Sequence, residues 1–174
     1  KGKNMNKVAL ILLNYNQADE TINCVKQLLS FELNIKIIVV DNKSPDGSYK
    51  KLSDDLQDIE NVDLIQNSYN GGYGAGNNLG IKYAIKKYDI ETIGIINPDV
   101  FLPRKEILTD LIYELYSEDK FSVIGASAID GSGNYNSNYS SWNLPTNKEL
   151  IWNQCIFNKR YKKQQEYRMI SHRL

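Results

Sequence analysis

Histidine occurs once in 174 residues, as His172 in the last three positions. Serine–histidine and cysteine–histidine nucleophile pairs therefore have almost no material to work with. Cysteine is nearly as scarce: Cys24 and Cys155 lie far apart, without CxxC spacing or a nearby histidine. That excludes a disulfide framework and a cysteine-rich metal site, and makes a reducing cytoplasm the simplest setting. No apolar run approaches the ~18 residues of a membrane-spanning helix. Net charge is also missing. Lysine plus arginine match aspartate plus glutamate at 21 each, so the chain-wide balance points to no nucleic acid and no membrane. The distribution is uneven, because residues 159–174 hold six basic side chains against one acid, Glu166.

What the chain does have is alternation. VALILL (8–13), IKIIVV (35–40), NVDLIQ (62–67), ETIGII (91–96) and FSVIGA (121–126) read as strands, the first two as runs covered on both faces. Between them lie helical patterns. NQAD (16–19) gives a capping-box-like start with Asn16 as cap, followed by a stripe of Ala18, Ile22, Val25 and Leu29. A short helix is expected over 49–56. Ile81, Ala84, Ile85 and Tyr88 make a further stripe, and Pro103 opens a helix with Ile107, Leu108, Leu111, Ile112 and Leu115 inward. Strands alternating with helices imply an α/β layer with a mainly parallel sheet flanked by helices and right-handed crossovers.

In such sheets ligands gather beyond the carboxyl ends of the strands. The segments there are NYN (14–16), DNKSPDG (41–47), NSYNGGYGAGNN (67–78) and NPDV (97–100), all polar, small or acidic. The third belongs to NGGYGAGNNLG (70–80), which has five glycines in eleven positions and reads as a loop whose backbone approaches an anion ahead of a helix N-terminus. It is not a dinucleotide fingerprint. After Gly74 and Gly76 the third glycine position is Leu79, and the segment follows the third strand instead of the first. A Walker loop is excluded by the missing Gly-Lys-Ser/Thr ending. In NPDV, Pro98 stiffens a turn that brings Asp99 to the ligand edge, where Mg²⁺ or Mn²⁺ bridging a diphosphate is a natural partner for a carboxylate.

VALILLNYN, IIVVDNKSPDG, NGGYGAGNNLG and IGIINPDV, in this order, resemble family 2 glycosyltransferases of the GT-A (Rossmann-like) fold, and within them the rhamnosyltransferase-like branch. The likeness runs over about residues 7–126. It implies that Asn14, Tyr15 and Asn16 line a nucleotide pocket with Tyr15 against the base. Asp41 would hydrogen-bond the base or ribose, with Asn42 and Ser44 beside it. Gly72, Gly76 and Asn77 would lie over the donor. Asn97 and Asp99 would occupy a metal motif usually written Asp-x-Asp, the first acid here being asparagine, so that Asp99 alone carries the divalent cation. The reaction so implied is inverting, metal-assisted transfer of a sugar from a nucleotide-diphosphate sugar, UDP- or dTDP-linked, to a glycan or lipid-linked acceptor in bacterial-type polysaccharide synthesis.

The general base of such transfer has no counterpart here. After Asp130 only Glu149 and Glu166 are acidic, and neither stands in a suitable context. Residues 5–146 then read as a nucleotide-sugar-binding domain stopping before the acceptor region, and 147–174 as an amphipathic to basic tail. Either the chain is the donor half of a longer enzyme, or it is a small nucleotide-sugar-binding module without turnover. An NAD(P)-dependent oxidoreductase is the weaker alternative. Residues 129–145, rich in tyrosine and asparagine, read as a hairpin, with packing the favoured role of Tyr135, Tyr139 and Trp142. The tail from Lys159 is either a solvated end or a peripheral contact with the inner face of an anionic membrane, aided by Ile151, Trp152, Ile156 and Phe157.

Overall fold

The computed structural model describes residues 7–118 and 122–126. Eight elements follow in order: β1 (Val8–Asn14), α1 (Ala18–Ser30), β2 (Lys36–Asp41), α2 (Ser48–Leu56), β3 (Val62–Gln66), α3 (Gly72–Lys87), β4 (Thr92–Ile96) and α4 (Glu106–Leu115). The chain divides into two compact units, Lys1–Asp110 and Leu111–Leu174. The first contains the sheet, and the boundary falls within α4. The expected hairpin over 129–145, the amphipathic segment, the basic tail and the domain limit at 146 lie outside the described residues.

All four strands are parallel, in the order β3-β2-β1-β4. β1 and β2 are central, and their uninterrupted apolar runs are buried on both faces, as expected of a covered parallel sheet. The outer strands β3 and β4 are only partly buried. From β1 the chain winds outward to β3, then returns to place β4 on the other side of β1. The crevice where the order reverses therefore opens between the carboxyl ends of β1 and β4.

Both faces of the sheet are covered. On one, α1 buries Ala18, Thr21, Ile22, Cys24, Val25 and Leu28, so Leu28 takes the place expected of Leu29. Asn16 does not cap this helix: the N-cap is Gln17, without a side-chain cap bond, and the Gln17 amide donates instead to Asn14 Oδ1 at 3.3 Å. On the other face, α3 lies against Ala9, Ile11, Ile38 and Val40 through Ala84.

The largest departure from expectation is α3 itself. Residues 72–80, read as a loop, are its first half. Glycine weakens a helix by roughly 1 kcal/mol per residue, so local preference argues against this outcome. Packing decides it. A Cβ on Gly80 would stand 2.6 Å from Ile11 Cγ2 and 2.9 Å from Val40 Cγ2, so only a bare backbone lets α3 approach the sheet this closely. Gly76 is also buried, but a Cβ there would meet only the side chain of Leu13, which is partly buried. Ile85, expected inside, is 58% exposed, because the buried stripe runs through Gly76, Asn77, Gly80 and Ala84. The far end of α3 is anchored where Lys87 Nζ meets Asp63 Oδ1 at 2.8 Å and Tyr88 donates to Asp63 Oδ2 at 2.6 Å.

Two further expectations change. α4 begins at Glu106 instead of Pro103, and Leu108 is its one buried residue among those described. Residues 122–126 form no strand. Their apolar character suits a sheet, but a strand requires a hydrogen-bonded neighbour, and Val123 is 86% exposed. No helix among the described residues is long and apolar enough to cross a membrane.

Candidate functional site

Register aligns the last residues of three strands. Asn14 pairs with Asp41, and Asp41 with Gln66, so their side chains stand in a row on one face of the sheet. Asp41 is fully buried. Its Oδ1 accepts from Asn14 Nδ2 (2.8 Å) and Ser44 Oγ (2.6 Å), and its Oδ2 from the Ser44 amide (3.1 Å) and Gln66 Nε2 (3.0 Å). A carboxylate offers about four acceptor positions, and here all are taken.

Asn14 is equally committed. Its second N–H goes to Ser44 Oγ at 3.2 Å, and its Oδ1 accepts from Thr21 Oγ1 at 3.0 Å as well as from Gln17. Ser44 Oγ also accepts the Asn16 amide at 3.0 Å. Asn42, buried next to Asp41, donates to Asn70 Oδ1 (2.8 Å) and the Gly72 carbonyl (3.3 Å) and accepts from Asn67 Nδ2 (3.1 Å).

The side chains of Asn14, Asp41, Asn42 and Ser44 bond one another and the neighbouring loops, and so tie the segments after β1, β2 and β3 into one body. A buried carboxylate without these donors would be costly, which is why the cluster is closed. Thr21, Gln66, Asn67 and Asn70 complete it and were missed in the sequence. Thr21 left a faint signal, a hydroxyl on the apolar stripe of α1.

What the network leaves outside faces solvent at the same edge. Tyr15, Tyr69 and Tyr73 are 42%, 64% and 58% exposed, large aromatic faces of the kind on which a planar base stacks. Asn16 and Lys43, both exposed, hold positive φ of 58° and 62°. For residues other than glycine that conformation is uncommon, and the Ser44-centred bonds maintain it. Lys43 was not singled out in the sequence.

Gly72, at the opening of α3, has φ 80° and open space around a notional Cβ. Gly76 is buried, with the Leu13 side chain against it. Asn77, on the buried side, donates to the Tyr73 carbonyl at 3.0 Å, and its Oδ1 has no partner among the described residues.

At the end of β4, the Val100 amide closes a turn onto the Asn97 carbonyl at 3.1 Å, with Pro98 and Asp99 at its corner. The next segment is pinned to α1 where the Leu102 amide donates to Gln27 Oε1 at 3.1 Å. Asn97 and Asp99 are both exposed. The Asn97 amide oxygen is occupied by Tyr73, whose hydroxyl donates to it at 2.9 Å. No cluster of three or more histidine, cysteine, aspartate or glutamate side chains among the described residues could hold a metal. A hard cation that takes one carboxylate and otherwise phosphate and water oxygens fits Asp99 alone.

Asp99 is felt inside the protein. Burial pushes the Cys24 thiol up to about 11, and the negative charge of Asp99 adds to it. The neutral thiol is the form that folding favours, so its contribution to stability is complete below about pH 9 and is lost as pH rises through 11. Native chain treated with a thiol reagent at pH 8 is expected to leave Cys24 unlabelled, as read by peptide mass mapping, with labelling appearing once urea unfolds it.

A family model described as Glycosyl transferase family 2 matches residues 9–171. The low-salt glycan biosynthesis hexosyltransferase Agl10 of Haloferax volcanii is 25% identical over 129 residues, 74% of this chain and 39% of that protein. The chain thus spans about two fifths of the length of this curated relative. Among solved structures, the mannosyltransferase PcManGT from Pyrobaculum calidifontis, in complex with GDP-Man and Mn²⁺, superposes with a TM-score of 0.55 at 18% identity, over 63% of this chain and 32% of that one. S. aureus TarS 1-349 in complex with UDP gives 0.50 at 24% identity, over 63% and 32%. At such identities the likeness is one of fold, the GT-A arrangement of a parallel sheet between helices.

Proposed function

Because the chain belongs to glycosyl transferase family 2, we propose that it carries the donor-binding part of an enzyme moving a sugar from a nucleoside-diphosphate sugar to a glycan or lipid-linked acceptor. The observation that carries this reading is the reversal of strand order between β1 and β4. It gathers Tyr15, Tyr73, Asn97 and Asp99 at one crevice, while the buried network beneath fixes the loops that bear them.

Each residue has a distinct task there. Tyr15 presents its ring to the base. The first turn of α3 opens at the same edge, where unpaired helical amides favour phosphate oxygens. Asp99 is the residue that would hold Mg²⁺ or Mn²⁺. When bound, such a cation neutralises charge on the leaving diphosphate as a Lewis acid. Pro98 and the closed turn fix the backbone that carries Asp99 before any ligand arrives, so only its side chain remains to be ordered on binding.

Inverting transfer requires the sugar to be attacked from the face opposite the diphosphate. UDP or dTDP is the donor nucleotide favoured by the rhamnosyltransferase-like likeness of the motifs. The fold neighbours hold GDP-Man with Mn²⁺ and UDP, ligands of the same class. The scarcity and wide spacing of Cys24 and Cys155 are what favour a cytoplasmic setting.

Calorimetric titration with UDP, dTDP, GDP and NAD, with and without Mn²⁺, tests the reading. A nucleoside diphosphate that binds more tightly with the metal supports it; tight, metal-independent binding of NAD overturns it. Asp99→Asn is expected to abolish the tightening by Mn²⁺, a loss of about tenfold or more in affinity with metal present, and to leave metal-free binding intact.

A further inference from the structure

The amide at position 97 has two ends with opposite chemistry, and the structure shows which is free. Alternation along β4 puts Ile93 against the core beneath α3, and position 97, four residues on, continues on that side. There Tyr73, on the first turn of α3, donates its hydroxyl to Asn97 Oδ1 at 2.9 Å. Asn97 is exposed, and the opposite end of the same planar amide, Nδ2, bonds nothing among the described residues. We infer that Tyr73 is a positioning residue: by holding the oxygen of Asn97 it turns the NH₂ group outward, so that Asn97 serves as a hydrogen-bond donor to diphosphate oxygens and not as a cation ligand.

This assignment rests on the nucleoside-diphosphate reading above and goes beyond it. An aspartate at position 97 would give one oxygen to Tyr73 and keep a second, negative one for a cation. The asparagine keeps two N–H donors instead. The exchange of acid for amide therefore removes a cation ligand and adds an anion contact at the same place, next to Asp99 on the same closed turn. The backbone of Tyr73 is held in turn, since Asn77 Nδ2 donates to its carbonyl at 3.0 Å.

The test uses the 174-residue chain, with UDP, GDP and inorganic pyrophosphate titrated in the presence of EDTA. Tyr73→Phe deletes only the hydroxyl from an exposed ring, and Asn97→Ala deletes the amide. Each is expected to weaken metal-free binding by about tenfold, the effect of one hydrogen bond to a charged group. The double variant should lose no more than Asn97→Ala, because both act through one contact. The ratio of affinities with and without Mn²⁺ should stay at the wild-type value in both single variants.

A ligand-free readout is available by NMR. The Asn97 side-chain amide pair, identified by its loss in Asn97→Ala, should shift in Tyr73→Phe and, in the wild type, on adding pyrophosphate. Nucleotide binding that ignores Tyr73→Phe, or an Asn97→Ala chain that loses the Mn²⁺ effect as Asp99→Asn does, overturns this assignment and leaves the proposed function standing. A wild-type chain that binds no nucleoside diphosphate overturns the proposed function, and the assignment with it.

Discussion

Alanine at position 41 is expected to lower the unfolding free energy by about 4 kcal/mol, read as a large fall in the urea midpoint with little change in slope. The reason is the number of donors left behind. Asn14 Nδ2, Ser44 Oγ, the Ser44 amide and Gln66 Nε2 all converge on the Asp41 carboxylate, which is fully buried. Each abandoned donor costs about 1 kcal/mol or more where water cannot replace the lost acceptor.

Asn at the same site separates charge from geometry. Asp41→Asn keeps the volume and one oxygen, but turns an NH₂ group toward donors on the other side. It is therefore expected to be nearly as damaging as alanine, whereas a site reserved for a ligand would tolerate it. Urea denaturation of the two variants decides between these outcomes. If Asp41→Ala folds with wild-type stability, the closed network does not hold the edge together, and the free residues above it lose their support.

The second large effect concerns α3. Gly80→Ala should destabilise the chain by about 2 kcal/mol, although alanine is the better helix former by roughly 1 kcal/mol. The new methyl would collide with Ile11 Cγ2 and Val40 Cγ2, 2.6 and 2.9 Å away. Both partners are fully buried and β-branched, so neither can swing aside without disturbing the centre of the sheet.

Gly76→Ala makes the contrast. Its methyl would meet the tip of Leu13, a flexible side chain only partly buried, which can move to another rotamer. A change within about 1 kcal/mol is expected there. Thermal or urea melts of the two variants side by side provide the check. Equal effects would mean that the close contact between α3 and the sheet is not what these glycines serve.

The same comparison shows why some of the fold was legible in the chain. β1 and β2 were readable because a strand covered on both faces has no polar position to spare, and VALILL and IKIIVV show this without reference to anything else. The first half of α3 was not readable. Glycine propensity is a local quantity, while the reason for Gly76 and Gly80 is a distance to Leu13, Ile11 and Val40 that appears only when sheet and helix are together.

The site divides in the same way. Polar segments after each strand were visible in the sequence, and topology brings those after β1 and β4 to one crevice. Which side chains remain free there was not visible. Asn14, Asp41, Asn42 and Ser44 have the residue types of ligand contacts, and only the register that sets Asn14 beside Asp41 and the loop after β2 reveal that they also share one hydrogen-bonded network. Tyr73 gave no signal, since its partner Asn97 is 24 residues away.

By itself the sequence determined the layer architecture, the order of its elements from β1 to α4, and the family, because burial periodicity and ordered motifs are written along one dimension. Only the tertiary structure decided the roles at the edge: which polar groups close on each other, which glycines admit a helix, and which end of an amide faces the solvent. Those outcomes depend on distances between segments far apart in the chain, and a hydrogen bond or a steric contact exists only where both of its partners have been brought together.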